Sequence, residues 1–207
     1  MSDAAALLER GLAELDLALG ERQVSQLLEL GALVAAWGER INVTGHRGLS
    51  AILQRLVLDA VALVSALPDV ASLADLGSGA GFPGLPAAVL RPRCRVTLVE
   101  ARERRHHFQR ATCRALGLEN AHPVRGRAEA LLPTPHAVVV AQAMARPPEA
   151  LRIAAGWAEA GGFVVIPGAA SPPVLPDHAE VQVERIARYR VPCGGPARTL
   201  WIGRKLG

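Results

Sequence analysis

One stretch constrains the fold more than any other: Leu73-Ala74-Asp75-Leu76-Gly77-Ser78-Gly79-Ala80-Gly81-Phe82-Pro83-Gly84. The apolar run at 72–76 has the length of a buried strand, and residues 83–91 read as a helix. Between them, glycines allow a ligand to approach the backbone, and the helix start offers unpaired N–H groups. Three alternating glycines are more than a tight turn needs. The segment reads as a strand–cradle–helix unit that holds a ligand.

The rest of the pattern extends that unit. Short apolar runs at 95–100, 124–126, 137–141 and 163–166 alternate with helical stretches at 103–116 and 148–160. Such alternation argues for βαβ units around a parallel sheet. Residues 181–191 and 199–203 then read as two strands joined by Pro192-Cys193-Gly194-Gly195-Pro196, a closing hairpin. Residues 3–67 are different: Leu7, Leu8, Leu12, Leu15 and Leu19, then Val24 to Trp37, recur at helical spacing. A third helix is expected from about 50 to 67, stopped by Pro68, with Arg55 and Asp59 spaced for a surface pair. By pattern, 1–68 is a helical extension and 69–207 an α/β domain, expected to pack as one unit.

Composition narrows the function classes. Half of the 207 residues are hydrophobic and a fifth charged, which excludes a disordered chain. No apolar run is long enough to span a membrane, and acids occupy the N-terminus where an export signal carries bases. A cytoplasmic protein without membrane attachment is expected. Cys94, Cys113 and Cys193 stand far apart without metal-ligand spacing, so no metal site is expected. The net charge of +4 rests on arginine, Lys205 being the only lysine among 23 basic residues. A GC-rich genome explains that bias as well as nucleic-acid binding does, so position must decide. Arg102, Arg104, Arg105, Arg110 and Arg114 cluster with His106 and His107 after Glu100, followed by Arg125, Arg127 and Arg146. Beside a ligand-binding sheet edge they suit phosphate contacts; a solvated helix face accounts for them equally well.

The glycine segment has two parses. Gly79-x-Gly81-x-x-Gly84, with Glu100 about 20 residues on, fits a dinucleotide fingerprint and a nicotinamide-dependent oxidoreductase. Asp75-x-Gly77-x-Gly79-x-Gly81 instead resembles motif I of class I S-adenosylmethionine-dependent methyltransferases. A carboxylate beside the loop repels a pyrophosphate but suits a sulfonium and an ammonium, which favours the second parse. That resemblance implies cofactor contacts at Asp75, Gly77, Ser78, Gly79 and Gly81, with Glu100 on the ribose. It also implies a sheet that ends in an antiparallel strand, as the closing hairpin suggests.

Longer stretches are more specific. Asn42-Val43-Thr44, Leu53-Gln54-Arg55-Leu56-Val57-Leu58-Asp59, GSGAGFPGLP at 77–86 and GLENAHPVRGRAEAL at 117–131 occur in order. Together they resemble the ribosomal RNA small subunit methyltransferase G family, also called glucose-inhibited division protein B, over nearly the whole chain. The resemblance implies a class I methyltransferase (Rossmann-like α/β) fold with a helical extension and a C-terminal antiparallel hairpin. It implies S-adenosyl-L-methionine as cofactor and N7 of a guanosine in 16S rRNA, near the decoding centre, as target. Further cofactor contacts are implied at Phe82, Ala128, Glu129 and Gln142. RNA contacts are expected at Asn42, Arg55 and Arg198 from the resemblance, and at Arg104, Arg105 and Arg127 from the arginine clustering. The partner would be 16S rRNA or the small ribosomal subunit, with the enzyme a monomer. Leu56, Gln142, Pro167 and Thr199 stand where the family has histidine, arginine, lysine and histidine. A protein of this fold that binds the cofactor with altered or lost transfer therefore remains the alternative, ahead of the oxidoreductase.

Overall fold

The computed structural model describes residues 3–39 and 44–207. Helix α1 (Asp3–Glu14) and helix α2 (Glu21–Gly38) lead into α3 (Leu49–Ile52), which continues through a π-helical turn over Leu53–Leu58 into α4 (Asp59–Ser65). Apolar spacing dictates which faces pack. Leu8 and Leu12 of α1, and Leu27, Leu30 and Val34 of α2, are buried against Leu53, Val57 and Leu58. Two helical glycines set the approach: a Cβ at Gly31 would lie 2.7 Å from Leu53, and one at Gly11 would collide with Leu58.

The π turn overturns one expectation. Arg55 and Asp59 do not pair, because residues four apart no longer stack one above the other in an i→i+5 ladder. Arg55 is exposed, whereas Asp59 is buried and faces the C-terminal hairpin.

The seven-stranded sheet comprises β1 (Ser72–Leu76), β2 (Arg95–Glu100), β3 (Ala121–Arg125), β4 (His136–Ala141), β5 (Ala158–Gly168), β6 (Val181–Arg190) and β7 (Ala197–Lys205). Its order is β3-β2-β1-β4-β5-β7-β6, parallel through β5, with β7 antiparallel to both neighbours. The crossovers run through α5 (Gly84–Leu90), α6 (Glu103–Leu116) and α7 (Pro147–Trp157). A parallel sheet is covered on both faces, so alternate residues enter different cores. Leu73, Val96, Leu98 and Val138 join α5, α6 and the N-terminal helices in one cluster. Ala74, Leu76, Val99 and Val139 join α7, Trp201 and Ile166 in the other.

Two boundaries differ from expectation. The helix expected to reach residue 160 ends at Trp157, and Ala158 already pairs with His136 of β4. Helix-favouring Ala and Glu at 158–160 are overridden by tertiary pairing. Strand β3 begins at Ala121 and tolerates Pro123 because it lies at the sheet edge, where a lost N–H matters little.

Candidate functional site

β1 and β2 are in parallel register, Leu76 opposite Val99, so the loops that follow them meet at one sheet edge. The glycine segment leaves β1 with left-handed φ at Gly77, Gly79 and Gly81 (+69°, +57° and +85°). At Gly77 a side chain has no room: its Cβ would lie 2.5 Å from Met144 Cβ.

Glu100 ties this loop to the end of β2. Its Oε2 accepts the Gly79 N–H at 2.9 Å and its Oε1 the Arg102 N–H at 2.7 Å. The loop is held from below as well. Ser78 N–H and hydroxyl both donate to the Val99 carbonyl, and Gln109 Nε2 donates to Ser78 Oγ (2.8 Å) and Gly79 O (2.9 Å). Ser78 and Gln109 are almost fully buried, so both support the loop from beneath.

Asp75 stands in a different place from the one its charge suggested. It is fully buried under the loop, where Oδ2 accepts the Gly84 N–H at 2.8 Å and Oδ1 has no partner. Burial raises its pKa to about 7, against the Gly84 hydrogen bond and with help from the Glu100 charge. Its carboxyl therefore pins the start of α5, and the expected direct contact with a cofactor is replaced by a supporting one. Phe82 is partly buried, packs against the core on the α5–α6 side and does not line the cleft.

Above the loop opens a cleft of about 290 Å³ lined by Gly77, Glu100, Arg102, Arg105, Arg127, Ala128, Glu129 and Met144, among others. Trp157 Nε1 donates to the Ala128 carbonyl at 3.1 Å, fixing that wall from α7. Arg127 and Glu129 are 3.4 Å apart at the rim.

A second cavity of about 290 Å³ adjoins the first at Ala143, which lines both and adopts φ +52°. Gln142, Pro167, Gly168, Tyr189 and Arg198 line it. Gln142 is thus placed there, beside the cleft expected to hold it. The Arg198 guanidinium is anchored by Asp59, Nε to Oδ2 at 3.0 Å, and Tyr189 donates its hydroxyl to Asp59 Oδ1 at 2.6 Å. Burial, with the adjacent Asp59 charge, pushes the Tyr189 phenol far above its ordinary value.

Of the remaining expected residues, Arg105 lines the cleft, Arg104 is exposed on α6, and Arg55 is exposed on the π turn. Asn42 lies outside the described residues. Sequence reasoning missed Gln109, Met144, Tyr189 and the anchoring use of Asp59. Only Tyr189, as the single tyrosine, offered any signal. Among the described residues, no cluster of His, Cys, Asp or Glu could hold a metal ion, and no helix is long and apolar enough to cross a membrane.

A sheet ordered 3-2-1-4-5-7-6, with a glycine loop after its first strand and an acid closing its second, defines a class I S-adenosylmethionine-dependent methyltransferase architecture. In agreement, a methyltransferase of this dependence from Aquifex aeolicus superimposes with a TM-score of 0.55 at 16% identity, covering 74% of this chain and 92% of that one. The family model for rRNA small subunit methyltransferase G matches residues 23–200, and the chain belongs to that family. The ribosomal RNA small subunit methyltransferase G of Xanthomonas oryzae is 39% identical over 171 residues, covering 80% of this chain and 74% of the relative. That of Pelotomaculum thermopropionicum is 31% identical over 221 residues, covering 100% and 92%.

Proposed function

We propose that the chain transfers the methyl group of S-adenosylmethionine to N7 of a guanosine in 16S rRNA of the small ribosomal subunit, acting as a cytoplasmic monomer. The observation that carries this reading is the Glu100 carboxylate, presented at the cleft by two backbone N–H groups and 5% exposed. A carboxylate has about four lone-pair sites, so two remain to accept a ribose diol. The donor set therefore fits the cofactor, with Gly77, Gly79, Ala128 and Glu129 around it. Arg102, Arg105 and Arg127 balance the acids of the same cleft.

Held at Glu100, Gly77, Ala128 and Glu129, S-adenosylmethionine would supply a methyl carbon activated by its sulfonium, the sulfur being the leaving group. Guanine N7 carries a lone pair and no proton, so this chain needs no general base. Its work is positioning. The second cavity, sharing Ala143 with the first, is the place for the target base. The Arg198 guanidinium lines that cavity with its angle set by Asp59, and its remaining N–H groups would suit guanine O6 while N7 stays open to the methyl group.

Transfer of tritiated methyl groups to 16S rRNA from cells lacking the corresponding activity tests the proposal. Incorporation at one guanosine, recovered as 7-methylguanosine, is expected. Cofactor binding without incorporation would instead favour the transfer-deficient reading, which Gln142 and Pro167 in the second cavity support. Binding of NADH without S-adenosylmethionine binding would overturn both.

A further inference from the structure

Helix α6 carries more basic side chains than the cleft employs. Arg102 and Arg105 line the cleft near the helix start. Arg104, His107, Arg110 and Arg114 follow at helical spacing along one stripe and are all exposed. Arg91, Arg125, Arg127, Arg198, Arg204 and Lys205 pair with acids, and no such pair involves Arg104, His107, Arg110 or Arg114 among the described residues. Neighbouring His106 feels the excess: burial lowers its pKa, and the charges of Arg110, His107 and Arg125 lower it further against a backbone hydrogen bond at Pro123.

The stripe ends at a groove of about 470 Å³ between α6 and the end of α2, lined by Trp37, His107, Arg110, Ala111 and Arg114. Trp37 stands edge-on against the buried Phe108, their centroids 5.5 Å apart at 67°. The core therefore holds the indole in place. Trp157 and Trp201 are 3% and 6% exposed, whereas Trp37 is only partly buried.

A fixed indole flanked by guanidinium groups complements a planar base with phosphates on either side. Acidic side chains would satisfy the arginines but bring no ring face to the indole, whereas every nucleotide carries both a phosphate and a planar base. We infer that this groove binds an unpaired nucleotide of the RNA, its base against Trp37 and its flanking phosphates on Arg110 and Arg114. Arg104 and His107 line the strand's route from the cleft. At about 1.5 Å per residue, Arg114 lies roughly 14 Å along α6 from Arg105, so this contact is separate from the reacting base. The inference rests on the RNA-methylating reading given above.

Titrating the full chain with single-stranded oligoadenylate of about twelve nucleotides, followed by tryptophan fluorescence, tests it. RNA should quench the emission, and Trp37→Phe should remove most of that quenching while keeping the ring contact with Phe108. Trp37→Leu should weaken binding about tenfold. The double variant Arg110→Glu/Arg114→Glu should lower the slope of log affinity against log salt by about 1.4. Tight binding without quenching, or undiminished affinity in Trp37→Leu, would overturn the inference. So would quenching by assembled small subunits but not by protein-free RNA, since the groove would then take a protein. Methyl transfer by the wild type is scored separately. Transfer without quenching defeats the groove alone, and quenching without transfer defeats the underlying reading alone.

Discussion

The Nε of Arg198 lies 3.0 Å from Oδ2 of Asp59, joining the C-terminal hairpin to the N-terminal helices across 139 residues of sequence. Tyr189 donates to the other oxygen of the same carboxylate at 2.6 Å. One side chain of the helical segment thus orients two lining residues of the second cavity. Asp59→Ala should strand both partners and lower stability by about 2–3 kcal/mol, read as a fall in the urea midpoint. Tyr189→Phe removes one bond and should cost about 1 kcal/mol. Both variants should lose more methyl transfer than cofactor affinity. Equal losses of the two would mean that the cluster serves folding only.

Asp75 should make stability depend on pH in an unusual direction. The unfolded carboxyl releases its proton near 3.8, and the buried one near 7, chiefly because burial disfavours the charge. Its contribution is fully present below pH 3.8 and is lost as pH rises through about 7. Relative to Asp75→Asn, which can still accept the Gly84 N–H, wild-type stability should decline between those values. The steepest slope is about 1.4 kcal/mol per pH unit, with no further change above the window. Parallel pH curves for the two proteins would show that this carboxyl does not titrate there.

Gly77 and Gly79 should differ in their tolerance of alanine. A Cβ at Gly77 meets Met144 Cβ at 2.5 Å, forcing the β1 and β4 loops apart at the cleft. At Gly79 the nearest atoms are 3.8 and 3.9 Å away, an ordinary contact, leaving only the backbone cost of φ +57°, about 1–2 kcal/mol. Calorimetry with S-adenosylhomocysteine should show at least a tenfold loss for Gly77→Ala and a smaller one for Gly79→Ala. The reverse ranking would misplace the cofactor loop.

Glu100→Gln should separate charge from shape. The amide can accept only one of the Gly79 and Arg102 N–H groups, so the other is left facing an NH₂. About 1–3 kcal/mol of stability and roughly tenfold or more of S-adenosylhomocysteine affinity should be lost. Full affinity in this variant would remove Glu100 from the ribose.

Much of the architecture was legible because it is written in local patterns. Strands β1 and β2 and helix α6 are found at their expected residues, since buried runs and an amphipathic helix leave a direct periodic signal. Residues whose role depends on a distant partner left no such signal. Nothing near Gln109 announces that it holds Ser78 and Gly79, thirty residues back. Asp59 looked like a helix-surface partner of Arg55 until the π turn rotated it towards Tyr189.

The amino-acid sequence alone determined the alternation of elements, the glycine loop with its acid at residue 100, and the family, because each depends on residue type and spacing. Tertiary structure decided which acid is open to the cleft. Asp75 and Glu100 end adjacent strands and read alike, yet one is sealed beneath the loop with a pKa near 7 and the other faces the cleft. It also decided where the arginines point: Arg105 into the cleft, Arg198 into the second cavity, and Arg110 and Arg114 beside Trp37. Burial and partnership arise only when distant segments pack, and they set the chemistry that residue type leaves open.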